Sequence, residues 1–342
     1  MSAIDFVNLP RRPKDWDYAI QNFKTKTLFH ESVWLDFTLI ARPGWTIDYF
    51  AIKQNRRTIG YHCAFRKRKL LISIYPNFWF GTSVFHGPLV EDGVNQRELV
   101  SALVSAAKNR GVHVLRLRND WLDPEIMKAA GFQVRTGRNQ LCQLPGDESL
   151  AWASLRGVCR TRIRKGEREG VTSEVTQDPL AAEHFYALYL NTLRQKGITP
   201  SFTLESYRIL VRLLVPADRL FVVCVKRGND VVGLGFYAYD DRAMYFLDGA
   251  SDPSLLHLCP NEQLHWAAMK LGIKRGIPLF NIGGGPAPSR FSQKFGGQAV
   301  DYHEFSKTLS PALALWLNAC RTGSASVAWV GNAVATSGDA YP

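Results

Sequence analysis

No Cys-x-x-Cys pair occurs in this chain, and its six cysteines, Cys63, Cys142, Cys159, Cys224, Cys259 and Cys320, lie far apart. That spacing excludes a dithiol redox motif or a zinc ribbon and leaves reduced thiols packed as small hydrophobes, as expected of a cytoplasmic protein. No stretch of about 18 uncharged apolar residues is present, and Met1 to Arg12 lacks the apolar centre of a signal peptide, so no segment is expected to cross a membrane. Gly-x-Ser-x-Gly is missing, and so is Gly-x-Gly-x-x-Gly. The run Gly283-Gly284-Gly285 follows an apolar stretch without that spacing or an immediate helix, which argues against a dinucleotide fold. Acidic residues are also in short supply: 42 Lys and Arg against 30 Asp and Glu leave a net charge of +12. An excess of that sign favours a phosphate-rich partner such as a nucleotide, a carrier RNA or an anionic membrane surface.

What the chain does have is enough apolar material for a core. Of 342 residues, 46% are hydrophobic and 12% aromatic, which fits two domains. Residues 1–27 are polar, with Pro10 and Pro13 around a basic pair, and are expected as an irregular arm. Glu31 or Ser32 caps a short helix carrying Trp34, Phe37 and Leu39. Ile47 to Lys53 and Thr58 to Phe65 read as paired strands, and Lys69 to Pro76 as a third. Gln96 to Arg110 is an amphipathic helix ended by Gly111, and Val112 to Leu117 a buried strand. A short helix from Pro124 stops at Gly131, and Phe132 to Leu144 returns as strand.

The second half repeats this order. Arg219 to Val225 and Val231 to Ala238 form a hairpin, followed by a strand from Ala243 to Leu247, a polar turn from Asp248 to Asp252 and a helix from Pro260 to Arg275. A strand from Pro278 to Ile282 then runs into the three glycines, where the backbone is expected to turn and stay accessible. Gly111 and Gly276, and Gly131 and Gly296, stand in the same register. Two α/β units of one topology, with mixed sheets flanked by helices, are the predicted architecture. The predicted divisions are an arm over 1–27, a first unit over 28–145, a second over 146–309 that includes a basic linker helix, and a helix with a small polar tail over 310–342. In that linker, Arg156, Arg160, Arg164 and Arg168 share one face, while Leu155, Cys159 and Ile163 form an apolar face that docks.

Arg160 to Val171 resembles the basic helix ending in Gly-Val of the Fem peptidyltransferases and of the exopolysaccharide-associated acyltransferases in the GNAT superfamily. Phe185-Tyr186, Thr192-Leu193 and Lys196-Gly197 match the helix that follows in those families. Tyr245 to Ser251, Pro260-Asn261, Leu264-His265-Trp266, Gly276, and Arg290-Phe291 through Phe295-Gly296 match the final unit. The resemblance runs from about Leu28 to Leu309. It implies twin GNAT-like units that transfer an acyl or aminoacyl group, from a thioester or an aminoacyl-tRNA, to an amine. Two departures stand out. The lysine that often follows the phenylalanine of the last motif is Ser292 here, with Lys294 two residues on, and the coiled-coil arm of some Fem proteins is missing, which weakens tRNA as donor.

Acyl transfer to an amine needs an unprotonated amine, donors aimed at the developing oxyanion and a channel for the carrier. Without a nucleophile motif, direct transfer with no covalent intermediate is expected. Asp248, Lys294 and Tyr245 are the catalytic candidates: Asp248 as proton acceptor or turn cap, Lys294 as counter-charge or solvated loop lysine, Tyr245 as proton donor or packing residue. Arg160 and Arg164 are candidates for the phosphates of an acceptor, or simply a solvated basic face. Asn261, Gly283, Gly284, Gly285, Arg290 and Trp34 complete the predicted binding set, Asn261 at a helix start where N–H groups bind anions or receive a cap. His257, Cys259, Glu262 and His265 match no zinc spacing, and no metal is expected.

The function expected from sequence is therefore an N-acyltransferase with acyl-CoA or another carrier as co-substrate, no permanent cofactor, and an amine of a cell-envelope or polysaccharide precursor, phosphate-bearing, as acceptor. Aminoacyl-tRNA-dependent extension of a peptidoglycan precursor is the alternative, and a non-catalytic binder of RNA or an anionic surface is a third. Cytoplasmic location, with peripheral membrane association within reach, accompanies the first two. Oligomeric state is not legible.

Overall fold

Two consecutive residues at positive φ, Asn55 and Arg56, turn the chain between β2 (Trp45–Gln54) and β3 (Arg57–Lys69) and fix the register of the first long hairpin. The computed structural model describes residues 3–69, 71–76, 85–176, 178, 180–285 and 289–321, of which 317–321 by backbone alone. They form two compact units, one of the described residues within 3–136 and 302–321, the other of those within 137–301. The polar tail expected after Gly323 lies outside the described residues.

The first unit holds β1 (Ile4–Leu9), α1 (Trp16–Ile20), α2 (Ser32–Ala41), β2, β3, β4 (Ile72–Tyr75), β5 (Leu89–Val90), α3 (Gln96–Asn109), β6 (Val114–Asn119) and α4 (Pro124–Ala129). Residues 1–27 are thus not an irregular arm. Residues Ile4 to Leu9 pair antiparallel with Tyr49 to Gln54, because β2 has an edge to fill and the two prolines fall just beyond the paired stretch. Asn95 caps α3 by accepting from the Arg97 and Glu98 amides, and Gly111, at φ +67, ends it. Leu99, Leu103, Leu115, Leu117, Met127 and Phe132 fill the core between α3 and the sheet.

The second unit starts within β7 (Gln133–Gln143), from Gly137, and continues through α5 (Glu148–Ser154), α6 (Gly157–Arg168), β8 (Val171–Val175), α7 (Ala181–Lys196), α8 (Leu204–Leu214), β9 (Leu220–Arg227), β10 (Asp230–Tyr239), β11 (Ala243–Ser251), α9 (Pro260–Lys274) and β12 (Leu279–Gly285). Its strand order is β7-β12-β11-β10-β9-β8. The chain then enters β13 (Gln298–Thr308) and α10 (Pro311–Arg321). The order from β8 to β13 repeats that from β1 to β7, save that β5 has no counterpart, and Gly276 and Gly296, at φ +70 and +79, match Gly111 and Gly131, at +67 and +78. The last strand of each repeat completes the other repeat's unit: β7 pairs with β12, while residues 303–308 of β13 pair with β6. Repeats and compact units are therefore different pieces of chain.

Within the second unit, α9 is covered almost all round, with Glu262 to Met269 buried, so it is the spine of that core. Helix α6 crosses it closely: a Cβ on Gly166 would stand 2.8 Å from both Gln263 Nε2 and Leu258 O, and Gln263 Nε2 donates to Ile163 O at 2.7 Å. Only a glycine permits that approach. Cys159 and Ile163 dock there as the apolar stripe predicted. On the opposite face, α7 and α8 lay Phe185 and Tyr207 against Phe236 of β10, with Tyr189 beside Tyr207.

Candidate active site

β11 and β12 are parallel neighbours over three residues only, Ala243↔Leu279, Met244↔Phe280 and Tyr245↔Asn281, after which the ladder ends. A parallel pair that stops early leaves main-chain groups facing a gap between the two strands. Neither strand ends where expected. β11 runs on through Ser251, so Asp248 to Ser251 is strand and not a turn, because β10 continues to pair with it. β12 likewise runs through Gly285 along β7, with a register shift between Asn281 and Gly284. The glycines serve that ladder: a Cβ on Gly284 would lie 1.7 Å from Arg138 O, whereas one on Gly285 would meet nothing within 4 Å. Gly283 adopts φ +86, and its amide donates to Asn281 Oδ1 at 2.8 Å. Pro286 lies outside the described residues.

A bulge decides where Asp248 points. Tyr237 pairs with Phe246 and Phe236 with Asp248, so Leu247 is the extra residue. Without it Asp248 would face α9; with it the carboxylate turns to the α7/α8 side, where Phe236 also lies. There Tyr207 donates its hydroxyl to Asp248 Oδ2 at 2.7 Å, and the Gly249 amide donates to Oδ1 at 2.8 Å. Burial pushes the Asp248 carboxyl up to about 6, with both hydrogen bonds pulling the other way. Such a group is mostly ionised at neutral pH yet accepts a proton readily. Tyr207 carries no motif of its own in the sequence; only its packing beside Phe185 and Tyr189 reveals it.

The other predicted residues separate into groups. Lys294 Nζ donates to Glu262 Oε1 at 2.6 Å and lies 4.4 Å from the Phe291 ring centroid, and the same oxygen accepts from Arg162 at 3.0 Å. Glu262, 3% exposed, thus pairs with one cation from each side of the α9 start. Arg162 was not among the predicted binding residues. Asn261, one turn position away, accepts from Ser251 through Oδ1 at 2.7 Å; the residue that caps α9 is Cys259, at φ +58. Arg160 donates to Ala153 O at 3.0 Å and to Leu155 O at 2.5 Å, closing the end of α5, and Arg164 lies over Trp152 at 5.3 Å. Arg290 is exposed. Tyr245 donates to Asp240 Oδ2 at 3.2 Å, in the hairpin turn that also uses Asp240 to hold the Arg242 and Ala243 amides. Trp34 belongs to the first unit, buried against Phe29 and Phe37.

His265, fully buried, has its pKa lowered to about 3 by desolvation and, secondarily, by Lys294. It is neutral at ordinary pH, with Nδ1 3.1 Å from the Tyr237 hydroxyl. Among the described residues, no three His, Cys, Asp or Glu side chains gather as a metal ligand set. In the first unit the corresponding strands β4 and β6 pair at Ile74↔Val114 and Tyr75↔Leu115, and further along β6 the place beside Arg118 is taken by His86, whose amide donates to Arg118 O at 2.8 Å. Asn119 and Trp121 close on Gly87 there. The first copy of the gap is plugged, and the second is the candidate site.

The second unit's mixed sheet thus parts between two parallel strands, and a bulge in one of them turns a buried carboxylate to one face of the sheet. Residues 153–291 match the family model described as Acetyltransferase (GNAT) domain. No curated protein matches it by sequence. Among solved structures it is similar to FemX, at TM-score 0.70 and 14% identity over 91% of this chain and 99% of that one. It is also similar to a tandem GNAT protein from the clavulanic acid biosynthesis pathway, at TM-score 0.57 and 12% identity over 90% and 99%. A third likeness is to the C-terminal domain of a putative lysylphosphatidylglycerol synthetase from Agrobacterium fabrum, at TM-score 0.53 and 13% identity over 76% and 84%. These likenesses agree on a tandem GNAT-like fold.

Proposed function

We propose that the protein transfers an acyl group from acyl-CoA, or another thioester carrier, to an amine of a cell-envelope or polysaccharide precursor. The observation that carries this is Asp248, turned by the bulge to the α7/α8 face three residues beyond the last β11/β12 pair, and held near pKa 6. The amine nitrogen attacks the thioester carbonyl carbon, the carbon–sulfur bond breaks and the electron pair leaves with sulfur. The proton lost from nitrogen passes to Asp248, and the thiolate leaves as thiol after protonation from solvent. Main-chain amides of β11 beyond Tyr245, where the ladder ends, serve the oxyanion. Lys294 and Arg162, which share the Glu262 carboxylate at the α9 start, leave one net positive charge there for a phosphate on the carrier or acceptor, whereas the guanidinium of Arg160 is taken up by the end of α5.

Among the described residues the longest helix is α7, of 16 residues, which supports a thioester donor over an aminoacyl-tRNA gripped by a long helical arm. No helix there is long and apolar enough to cross a membrane. We place the reaction in the cytoplasm, where the +12 net charge also suits the inner membrane surface. Titration of the purified protein with acetyl-CoA and with charged tRNA tests the reading. Saturable acetyl-CoA binding, with thiol release on adding an amine, is expected; binding of neither donor, beside tight salt-dependent RNA binding, overturns it.

A further inference from the structure

Strand β7 brings a side chain of the first repeat into the second unit's sheet beside this opening. Paired residues share a face and successive residues alternate. The register Phe280↔Cys142 puts both residues in the core under α9, so Asn281 and Leu141 face the other way. Gln140 keeps the alternation, donating through Nε2 to Gly296 O at 2.5 Å. Asn139 therefore stands on the face of Leu141 and Asn281. Tyr245 is the register partner of Asn281, and the bulge at Leu247 returns Asp248 to that face. Asp248, Asn281 and Asn139 thus occupy one side of three neighbouring strands, where β11 and β12 part.

Asn139 is 2% exposed, and among the described residues neither its Nδ2 nor its Oδ1 has a hydrogen-bond partner. Its neighbour across the ladder is Gly284, which has no side chain to answer it. Asn281, by contrast, closes on the Gly283 amide. A buried carboxamide without partners is costly and rare in a folded chain, and such a cost persists where a ligand supplies the missing groups.

We propose that Asn139 is a substrate-binding residue of the acyltransfer site and that its carboxamide recognises an acceptor in which the amine is attached to a peptide-like residue. A carboxamide presents one donor and one acceptor side by side, and the N–H and C=O of one extended amino-acid residue point the same way, so the two match as a pair. An alkyl chain offers no such pair. The inference rests on the reading of Asp248 as the proton acceptor, since the shared face is what gives the carboxamide a substrate.

The test compares two acceptors with acetyl-CoA as donor: Nα-acetyl-lysine N-methylamide, which carries the residue's N–H and C=O, and 1-aminopentane, which carries only the amine. The wild type should favour the first in kcat/KM by at least about tenfold. In Asn139→Leu, of similar volume, that preference should fall toward one, and the apo protein should melt at or above the wild-type temperature, because an unpaired amide has been removed. Asn139→Ala supplies the same ratio should the leucine variant fold poorly. A retained preference, or a lower melting temperature for Asn139→Leu, overturns the proposal. Transfer to neither amine by the wild type counts against the acyltransferase reading instead, and the melting comparison still decides whether Asn139 stands unpaired for a ligand.

Discussion

Replacing Asp248 with asparagine separates the cost of the buried carboxylate from its use. Burial lifts this carboxyl from 3.8 to about 6, although Tyr207 and the Gly249 amide both favour the charged form. An acid whose pKa rises on folding holds its proton more tightly in the folded chain. Its contribution to stability is therefore full below pH 3.8 and is lost as pH climbs through 6. At about 1.36 kcal/mol per unit, that loss comes to about 3 kcal/mol. Asparagine never ionises but surrenders one of the two acceptor oxygens, at about 1 kcal/mol. Asp248→Asn should then be about 2 kcal/mol more stable than the wild type at pH 8, and equal to it or slightly weaker at pH 4. Urea unfolding at both values, with unchanged m-values, measures the difference. The same variant should lose about 10²- to 10⁴-fold in transfer rate, and with it the rise of kcat/KM through pH 6 that the wild type shows as the base ionises. A variant less stable than the wild type at pH 8, or one that keeps that rise, would refute the reasoning.

Two further outcomes follow from packing. Gly284→Ala should cost at least about 2 kcal/mol, because its Cβ would fall on Arg138 O, while Gly285→Ala, with open space, should stay within about 0.5 kcal/mol of the wild type. Equal melting temperatures for the two would contradict the ladder geometry. In the first unit, burial lowers His62 to about 4 and His30 to about 3, and lowers His86 well below its ordinary range, with Lys26 adding to the effect on His30. A base whose pKa falls on folding contributes fully above pH 6.5 and loses that contribution as pH drops toward 4. His62→Phe should move the acid-unfolding midpoint, followed by tryptophan fluorescence, downward by several tenths of a pH unit; an unmoved midpoint would mean that His62 does not limit acid stability.

Much of the fold was legible because its signals are local. Glycines at helix ends, the apolar stripe of α6 and the strand–helix–strand order from Ala243 onward each follow from neighbours within a few residues, and the paired glycines exposed the repeat. The site was legible in part. Asp248 could be picked out as a candidate proton acceptor, but was placed in a turn, since Asp-Gly favours turns and the pairing demand of β10 is not written nearby. The same blindness applied to β1, whose strand exists because β2 needs an edge partner. The arginine face of α6 was visible as a stripe of charge. Which arginine closes a helix and which meets Glu262 depends on a partner 100 positions away.

Composition, the order of elements and the internal repeat were set by the sequence itself, because periodicity, capping and glycine spacing act over a turn or a strand. Tertiary structure alone decided three things. It chose that Leu247 bulges, which aims Asp248, because a bulge is settled by the neighbouring strand's register. It exchanged the final strands of the repeats, because hydrogen-bond partners are selected in space and not along the chain. And it left Asn139 buried without a partner on the face of Asp248, a condition no stretch of residues 133–143 could announce.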